Sequence, residues 1–154
     1  MLSFLELKIP PLLLFFVFAV LMTQVPIAIT NLSIAFAYNN LLALIIAIFG
    51  VIVVATGVIN FKKADTTVDP RTPEQVNELV VSGVYQYSRN PMYLGFALML
   101  LALAIYLQTI ASYIWVIIFC RYLYHFQIMP EERALEKLFG QSYTDYCQKV
   151  RRWI

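Results

Sequence analysis

At 154 residues the chain has the length of one domain, and 61% of it is hydrophobic against 13% charged, where a soluble domain is usually near half apolar and a quarter charged. That balance excludes an ordinary soluble domain, and a net charge of +2 spread along the chain gives no support to nucleic-acid binding. The two cysteines, with no CxxC and no His partner nearby, predict neither a disulfide nor a metal site.

The expected fold class is all-α integral membrane: four transmembrane helices in a single domain over 1–154, followed by a C-terminal amphipathic cytoplasmic helix. No charged residue lies between Lys8 and Lys62 or between Arg89 and Arg121, and each gap can hold spans of roughly 20 apolar residues. The first gap is divided by Thr23, Gln24, Pro26, Thr30, Asn31, Ser33 and Asn39-Asn40, which places span one at 9–29 and span two at 40–61. The signal-peptide reading of the first run, with Ala35-Phe36-Ala37 as a small-x-small site, is disfavoured by the second span and by Glu6 beside Lys8.

A polar stretch follows at 62–90. Asp69-Pro70-Arg71-Thr72-Pro73 cannot propagate a regular helix, and Ser82-Gly83 is a turn signal. Pro91 is a good first-turn residue and Tyr106-Leu107-Gln108-Thr109 marks a tight reversal, so spans three and four are expected at 91–107 and 110–129. Pro130 should disrupt an unbroken helix or start the next one. Beyond it, Leu135, Leu138, Phe139, Tyr143, Tyr146 and Val150 recur at helical spacing among charges, the pattern of a helix lying along the interface or across the mouth of the bundle.

Ten of the eleven basic residues fall before span one, between spans two and three, or after span four. The positive-inside rule therefore puts both termini and the 62–90 loop in the cytoplasm, which for a bacterial protein means the inner membrane. Arg121, the eleventh, sits inside span four with His125 four residues on. An ionisable pair within a span is costly unless it faces a polar interior, so the pair is expected to line a polar cavity.

Chemistry concentrates in two clusters at the cytoplasmic face. The first is Gly83-Val84-Tyr85 with Arg89-Asn90-Pro91-Met92-Tyr93; the second is Glu131-Glu132, with Tyr143 and Tyr146 beyond. Singly, each has an ordinary explanation: tyrosines form interfacial belts, Arg89 satisfies charge asymmetry, and acids just after Pro130 suit a helix N-terminus. Jointly they offer acids, aromatic faces and a guanidinium, which suit a ligand carrying a positive centre, an aromatic base and a carboxylate. S-adenosylmethionine is such a ligand, although spacing alone does not choose it over other amphipathic nucleotides.

From Asn77 to Trp153 the chain resembles the isoprenylcysteine carboxyl methyltransferase and phospholipid methyltransferase superfamily. The resemblance is carried by Leu79-Val80-Val81-Ser82-Gly83-Val84-Tyr85, by Arg89-Asn90-Pro91-Met92-Tyr93, and by Glu131-Glu132 with Leu135, Phe139-Gly140, Tyr143 and Tyr146. It implies a membrane-embedded methyltransferase that uses S-adenosyl-L-methionine on a lipophilic small molecule. The cofactor contacts it implies are Asn77, Glu78, Leu79, Val80, Tyr85, Asn90, Pro91, Met92, Tyr93, Glu131 and Glu132, and Arg89 fills the family's arginine position.

Two departures bear on the substrate. Asn90 stands where many prenylcysteine enzymes have His. Gln127 stands four residues before the paired acids, where those enzymes place an arginine for the substrate carboxylate, and a neutral amide does not replace that charge. A lipid amine, thiol or hydroxyl is therefore the favoured acceptor, with isoprenylcysteine-type carboxyl methylation as the alternative. Methyl transfer from a sulfonium needs alignment and exclusion of water more than a catalytic triad; Arg89, Arg121 and His125 are the candidate catalytic residues, His125 as a proton acceptor for an amine. A nicotinamide-dependent membrane reductase and a noncatalytic subunit or transporter on the same fold are the competing readings.

Overall fold

The computed structural model describes residues 6–24, 37–63 and 79–154, and everything below concerns those residues. Six α-helices follow in order: α1 (Pro11–Gln24), α2 (Asn39–Lys63), α3 (Pro91–Leu107), α4 (Ile110–Leu123), α5 (Met129–Phe139) and α6 (Gln141–Lys149). A 3₁₀ turn, Gly83–Gln86, precedes α3, and a π segment, Tyr124–Ile128, joins α4 to α5. The all-α expectation holds among the described residues. One helix, α2, is long and apolar enough by itself to cross a bilayer, while α1 and α3 are shorter apolar helices. The four helices thus stand in the expected order and α3 keeps its expected bounds, 91–107, but among the described residues only α2 is long and apolar enough to count as a span by itself.

The surface of the bundle shows what the helices are built for. Leu12, Phe16, Leu41, Leu44, Ile48, Ile52, Ile114 and Ile117 are each about half exposed or more, whereas α2 buries Asn39, Ala43, Gly50, Val53 and Gly57. Small residues inside and large aliphatic ones outside invert the soluble pattern and suit helices packed in lipid. Helices α2 and α3 approach each other closely. A Cβ on Gly95 would lie 2.7 Å from the Gly50 carbonyl oxygen, and one on Gly50 would lie 2.9 Å from the Gly95 carbonyl oxygen. The core proper joins Leu14, Phe18 and Met22 of α1 to Phe96, Leu100 and Ala104 of α3 and Phe119 and Leu123 of α4, with Phe18 edge-on to Phe119 at 5.3 Å.

Long-range bonds gather four helix ends at one end of the bundle. Before α1, the Leu7 N–H donates to the Phe126 carbonyl at 2.9 Å; Asn60 near the end of α2 packs against Gly83; and the Arg89 N–H, just before α3, donates to the Arg151 carbonyl at 3.1 Å. The turn between α3 and α4 matches its expectation: Gln108 takes the left-handed conformation, φ 57°, and ends α3.

Pro130 takes the second of its two expected roles, standing in the first turn of α5. The turn of π register before it carries the helical path on from α4 without a gap, with the Met129 N–H on the Tyr124 carbonyl. A proline has no N–H for the carbonyl four residues back and its ring clashes there. The carbonyl concerned is that of Phe126, and it accepts from Leu7 instead. The tail differs from the single amphipathic helix expected. Gly140, at φ 51°, ends α5 and starts α6, so the two helices meet at a bend.

Candidate functional site

Gly83 starts the site. Its φ of 62° belongs to the left-handed region, and a Cβ there would lie 2.3 Å from the Asn60 amide nitrogen, so the turn sits directly on α2 only because the residue is glycine. The 3₁₀ turn that follows buries Tyr85, whose ring meets Phe61 edge-on at 5.2 Å. The Tyr85 carbonyl accepts the Tyr146 hydroxyl at 2.7 Å, which pins α6 over the turn. The Tyr85 hydroxyl itself is buried without a hydrogen-bond partner among the described residues. Burial, with Tyr146 and Glu131 nearby, raises its pKa far above the phenol range.

The next segment is fastened to the C-terminus. Ser88, nearly fully buried, accepts the Asn90 N–H at 3.1 Å, and the Asn90 side-chain amide donates to the Arg152 carbonyl at 2.9 Å. The Asn90 side chain is therefore engaged in holding the tail. Pro91 and Tyr93 are buried at the start of α3, and Met92 is half-buried.

The two acids differ in kind. Glu132 is gripped by two guanidiniums: Arg152 donates twice, at 2.9 and 2.6 Å, and Arg89 approaches at 3.2 Å. Arg89 also donates to the Cys147 sulfur, while its Nε is buried without a partner among the described residues. Among the described residues Glu131 has no such cation. Its carboxylate accepts the Tyr93 hydroxyl, and burial, reinforced by the charge on Glu132 and opposed by that hydrogen bond, pushes its pKa up to about 8. Glu132 is thus tied to two guanidiniums, whereas Glu131, with its pKa raised, holds a proton more readily than an ordinary carboxyl.

Of the residues expected at the site, Tyr85, Arg89, Asn90, Pro91, Met92, Tyr93, Glu131 and Glu132 come together at this end of the bundle. Val80 is buried and Leu79 packs with Tyr143, Tyr146 and Val150. Asn77 and Glu78 lie outside the described residues. Beside Val81 and Gln86 an open groove of about 440 Å³ runs along α6 to Asp145, Tyr146 and Lys149. Arg121 and His125 do not line the expected polar cavity. Both are exposed on the outer surface of the bundle, because their stripe of the helix lies opposite the buried Ser112, Phe119 and Leu123. Gln127 is fully buried and its amide donates to the Ile9 carbonyl at 2.8 Å.

Sequence reasoning missed Arg152 and Tyr124. Arg152 lies over the Tyr124 ring at 5.0 Å and donates to its hydroxyl at 3.3 Å while holding Glu132. Its only signal was a basic pair followed by Trp153 at the end of an amphipathic tail, which reads equally as an interfacial anchor.

Comparison with known proteins bears on this arrangement. The family model for phospholipid methyltransferase matches residues 38–142. The chain is 46% identical over 63 residues to an uncharacterised protein of Haemophilus influenzae, covering 41% of this chain and all of that protein. It is 30% identical over 104 residues to protein-S-isoprenylcysteine O-methyltransferase B of Arabidopsis thaliana, covering 67% of this chain and 52% of the plant protein. It is also 35% identical over 75 residues to a Delta(14)-sterol reductase of Mus musculus, covering 47% of this chain and 18% of that one. The chain thus spans about half the length of the plant relative and under a fifth of the mouse one. No solved structure matches it.

Proposed function

The chain belongs to the phospholipid methyltransferase family, and on that premise we propose that it is an integral membrane methyltransferase that takes S-adenosylmethionine at the polar end of the bundle and methylates a small lipophilic acceptor. The observation that carries the reading is the division of labour between the acids: Glu132 is saturated by Arg89 and Arg152, and Glu131 is left as a half-buried carboxyl with no cation paired to it among the described residues. A ligand with a positive centre supplies what Glu131 lacks.

The surrounding residues fit the cofactor. The Tyr85 hydroxyl and Arg89 Nε are buried polar atoms without partners among the described residues, and each such atom costs about 1–3 kcal/mol unless something bonds it. In this reading Tyr85 meets a polar edge of the cofactor, Arg89 Nε its carboxylate, and Glu131 its cationic end, with Tyr93 fixing the Glu131 carboxyl in place. Bound there, S-adenosylmethionine supplies a methyl group on a sulfonium that already carries its leaving group. Pro91, Met92 and Tyr93 form the first turn of α3 and wall the site against water. The polar end, with Lys8, Lys62, Lys63, Arg133 and Arg151 exposed around it, faces the cytoplasm in this reading, and α1 to α4 all cross the membrane.

The acceptor we favour is a lipid amine, thiol or hydroxyl. Gln127, in the position where a carboxylate substrate would need a cation, is neutral and already bonded to Ile9; a desolvated carboxylate beside it would cost several kcal/mol. The plant relative's name makes carboxyl methylation the second reading. The test is to offer purified protein labelled S-adenosylmethionine with a farnesylated cysteine analogue and a set of membrane lipids. Label in an extractable lipid supports the reading, whereas label released by base as volatile methanol would replace it with carboxyl methylation. Absence of binding to S-adenosylhomocysteine, with binding to a reduced nicotinamide, would overturn both.

A further inference from the structure

The outer face of α4 carries a feature that methyl transfer does not use. Ile114, Ile117 and Ile118 are 51, 62 and 44% exposed, and the same stripe, continued through the π segment, ends in Arg121 and His125, both exposed. Successive steps of three or four residues keep all five on one side of the helix. The stripe is therefore an apolar track closed at one end by two groups able to carry positive charge.

Depth decides what this track meets. Arg121 lies three residues, about 5 Å along the helix, before Tyr124, whose ring and hydroxyl meet Arg152 of the polar end, so its side chain is within snorkelling reach of the headgroup layer. An arginine at this level needs an anionic partner or a headgroup within reach of its side chain. Among the described residues no acid pairs with Arg121, and the ion pairs formed there are Arg89–Glu132, Arg152–Glu132 and Arg133–Glu6. His125 makes one ring contact, edge-on to Tyr124 at 5.0 Å, and keeps its outward side open.

We propose that the outer face of α4 is a docking site for an anionic phospholipid, with an acyl chain along Ile114, Ile117 and Ile118 and the headgroup phosphate held by Arg121 and His125. An arginine and a histidine one helical turn apart offer a phosphate a charge and N–H donors, and the apolar track gives the adjoining part of a chain a surface to lie on. Tyr124 connects the site inward: His125 touches one side of it, and Arg152, which holds Glu132, lies over its face. The proposal requires the bundle to sit in a membrane but does not depend on the acceptor or on S-adenosylmethionine.

The test uses the full chain carrying Trp153→Phe, which leaves Trp115 on α4 as the sole tryptophan, in phosphatidylcholine vesicles containing increasing fractions of brominated phosphatidylglycerol. At about 1 kcal/mol for the Arg121 charge, quenching of Trp115 should show a preference for the anionic lipid of roughly fivefold over brominated phosphatidylcholine. Arg121→Gln with His125→Gln should reduce that preference to near unity without changing helix content by circular dichroism, because both side chains are exposed. Lys62→Gln with Lys63→Gln should leave it intact. A preference that survives the first pair, or disappears with the second, would overturn the proposal in favour of diffuse attraction to the ring of cations, and equal quenching by both lipids in the parent chain would overturn it outright.

Discussion

The Tyr93 hydroxyl donates to the Glu131 carboxylate, joining the first turns of α3 and α5 across 38 positions of sequence. Tyr93 is buried and α3 is clasped to α2 through Gly50 and Gly95, so the acid is held against a rigid pair of helices. Such support fixes a binding group better than a loop does.

Removing either partner should abolish cofactor binding while leaving the bundle folded. Glu131→Ala and Tyr93→Ala each delete a contact to the cationic ligand or its orientation, and a hydrogen bond to a charged group is worth about 1.5–3 kcal/mol. Titration with S-adenosylhomocysteine and S-adenosylmethionine by calorimetry should show affinity lowered at least about tenfold for the sulfonium form, with Lys137→Ala as a silent exposed control.

Binding of the cationic cofactor should release a proton. With its pKa pushed up to about 8, Glu131 is mostly protonated near pH 7 in the free protein and ionises when a positive centre arrives. Affinity should therefore rise as pH climbs towards about 8 and level off above it. Calorimetry in two buffers of different ionisation enthalpy measures the released proton directly, and a binding enthalpy independent of buffer would contradict the assignment. Stability of the free protein should follow the opposite trend. Because the folded pKa lies above the ordinary 4.5, the favourable contribution of Glu131 is complete below about 4.5 and is lost as pH rises through about 8.

The Glu132 cluster should behave as structure. Glu132→Ala leaves the Arg89 and Arg152 guanidiniums facing each other, Arg89 being largely buried, and should lower stability by about 3 kcal/mol. Arg152→Lys should cost less, since it keeps the charge but loses the two-pronged grip on the carboxylate. Thermal unfolding in detergent ranks the variants, and equal loss from both would mean that the two-pronged geometry, and not the charge, carries the interaction.

The α2–α3 contact is sensitive to a single methyl group. A Cβ on Gly95 would stand 2.5 Å from a Val54 methyl carbon and 2.7 Å from the Gly50 carbonyl oxygen, distances at which backbone must move. Gly95→Ala should destabilise by about 1–3 kcal/mol, seen as a lower Tm, and Gly140→Ala, with open space around its Cβ position, should act only through its positive φ.

Much of this protein was legible without coordinates. Hydrophobic runs between charges determine an all-helical membrane chain, and the Pro91 start and the Gln108 reversal follow from local chemistry that acts within a few residues. The order of the two polar clusters around a helical hairpin was enough to bring Tyr93 and Glu131 to one end. Only the tertiary structure decided which acid is free, because that depends on Arg152 returning from the end of the chain to Glu132. It also decided that Arg121 and His125 face outward, since a helix with apolar residues on every side carries no periodicity to say which stripe is buried. Pro130 in the first turn of α5 was legible too, but the π register before it and the donor for the carbonyl it leaves open were not, since Leu7 comes from the other end of the sequence. Composition and period act through near neighbours, while the pairing of distant charges and the orientation of uniformly apolar helices exist only once the helices have packed.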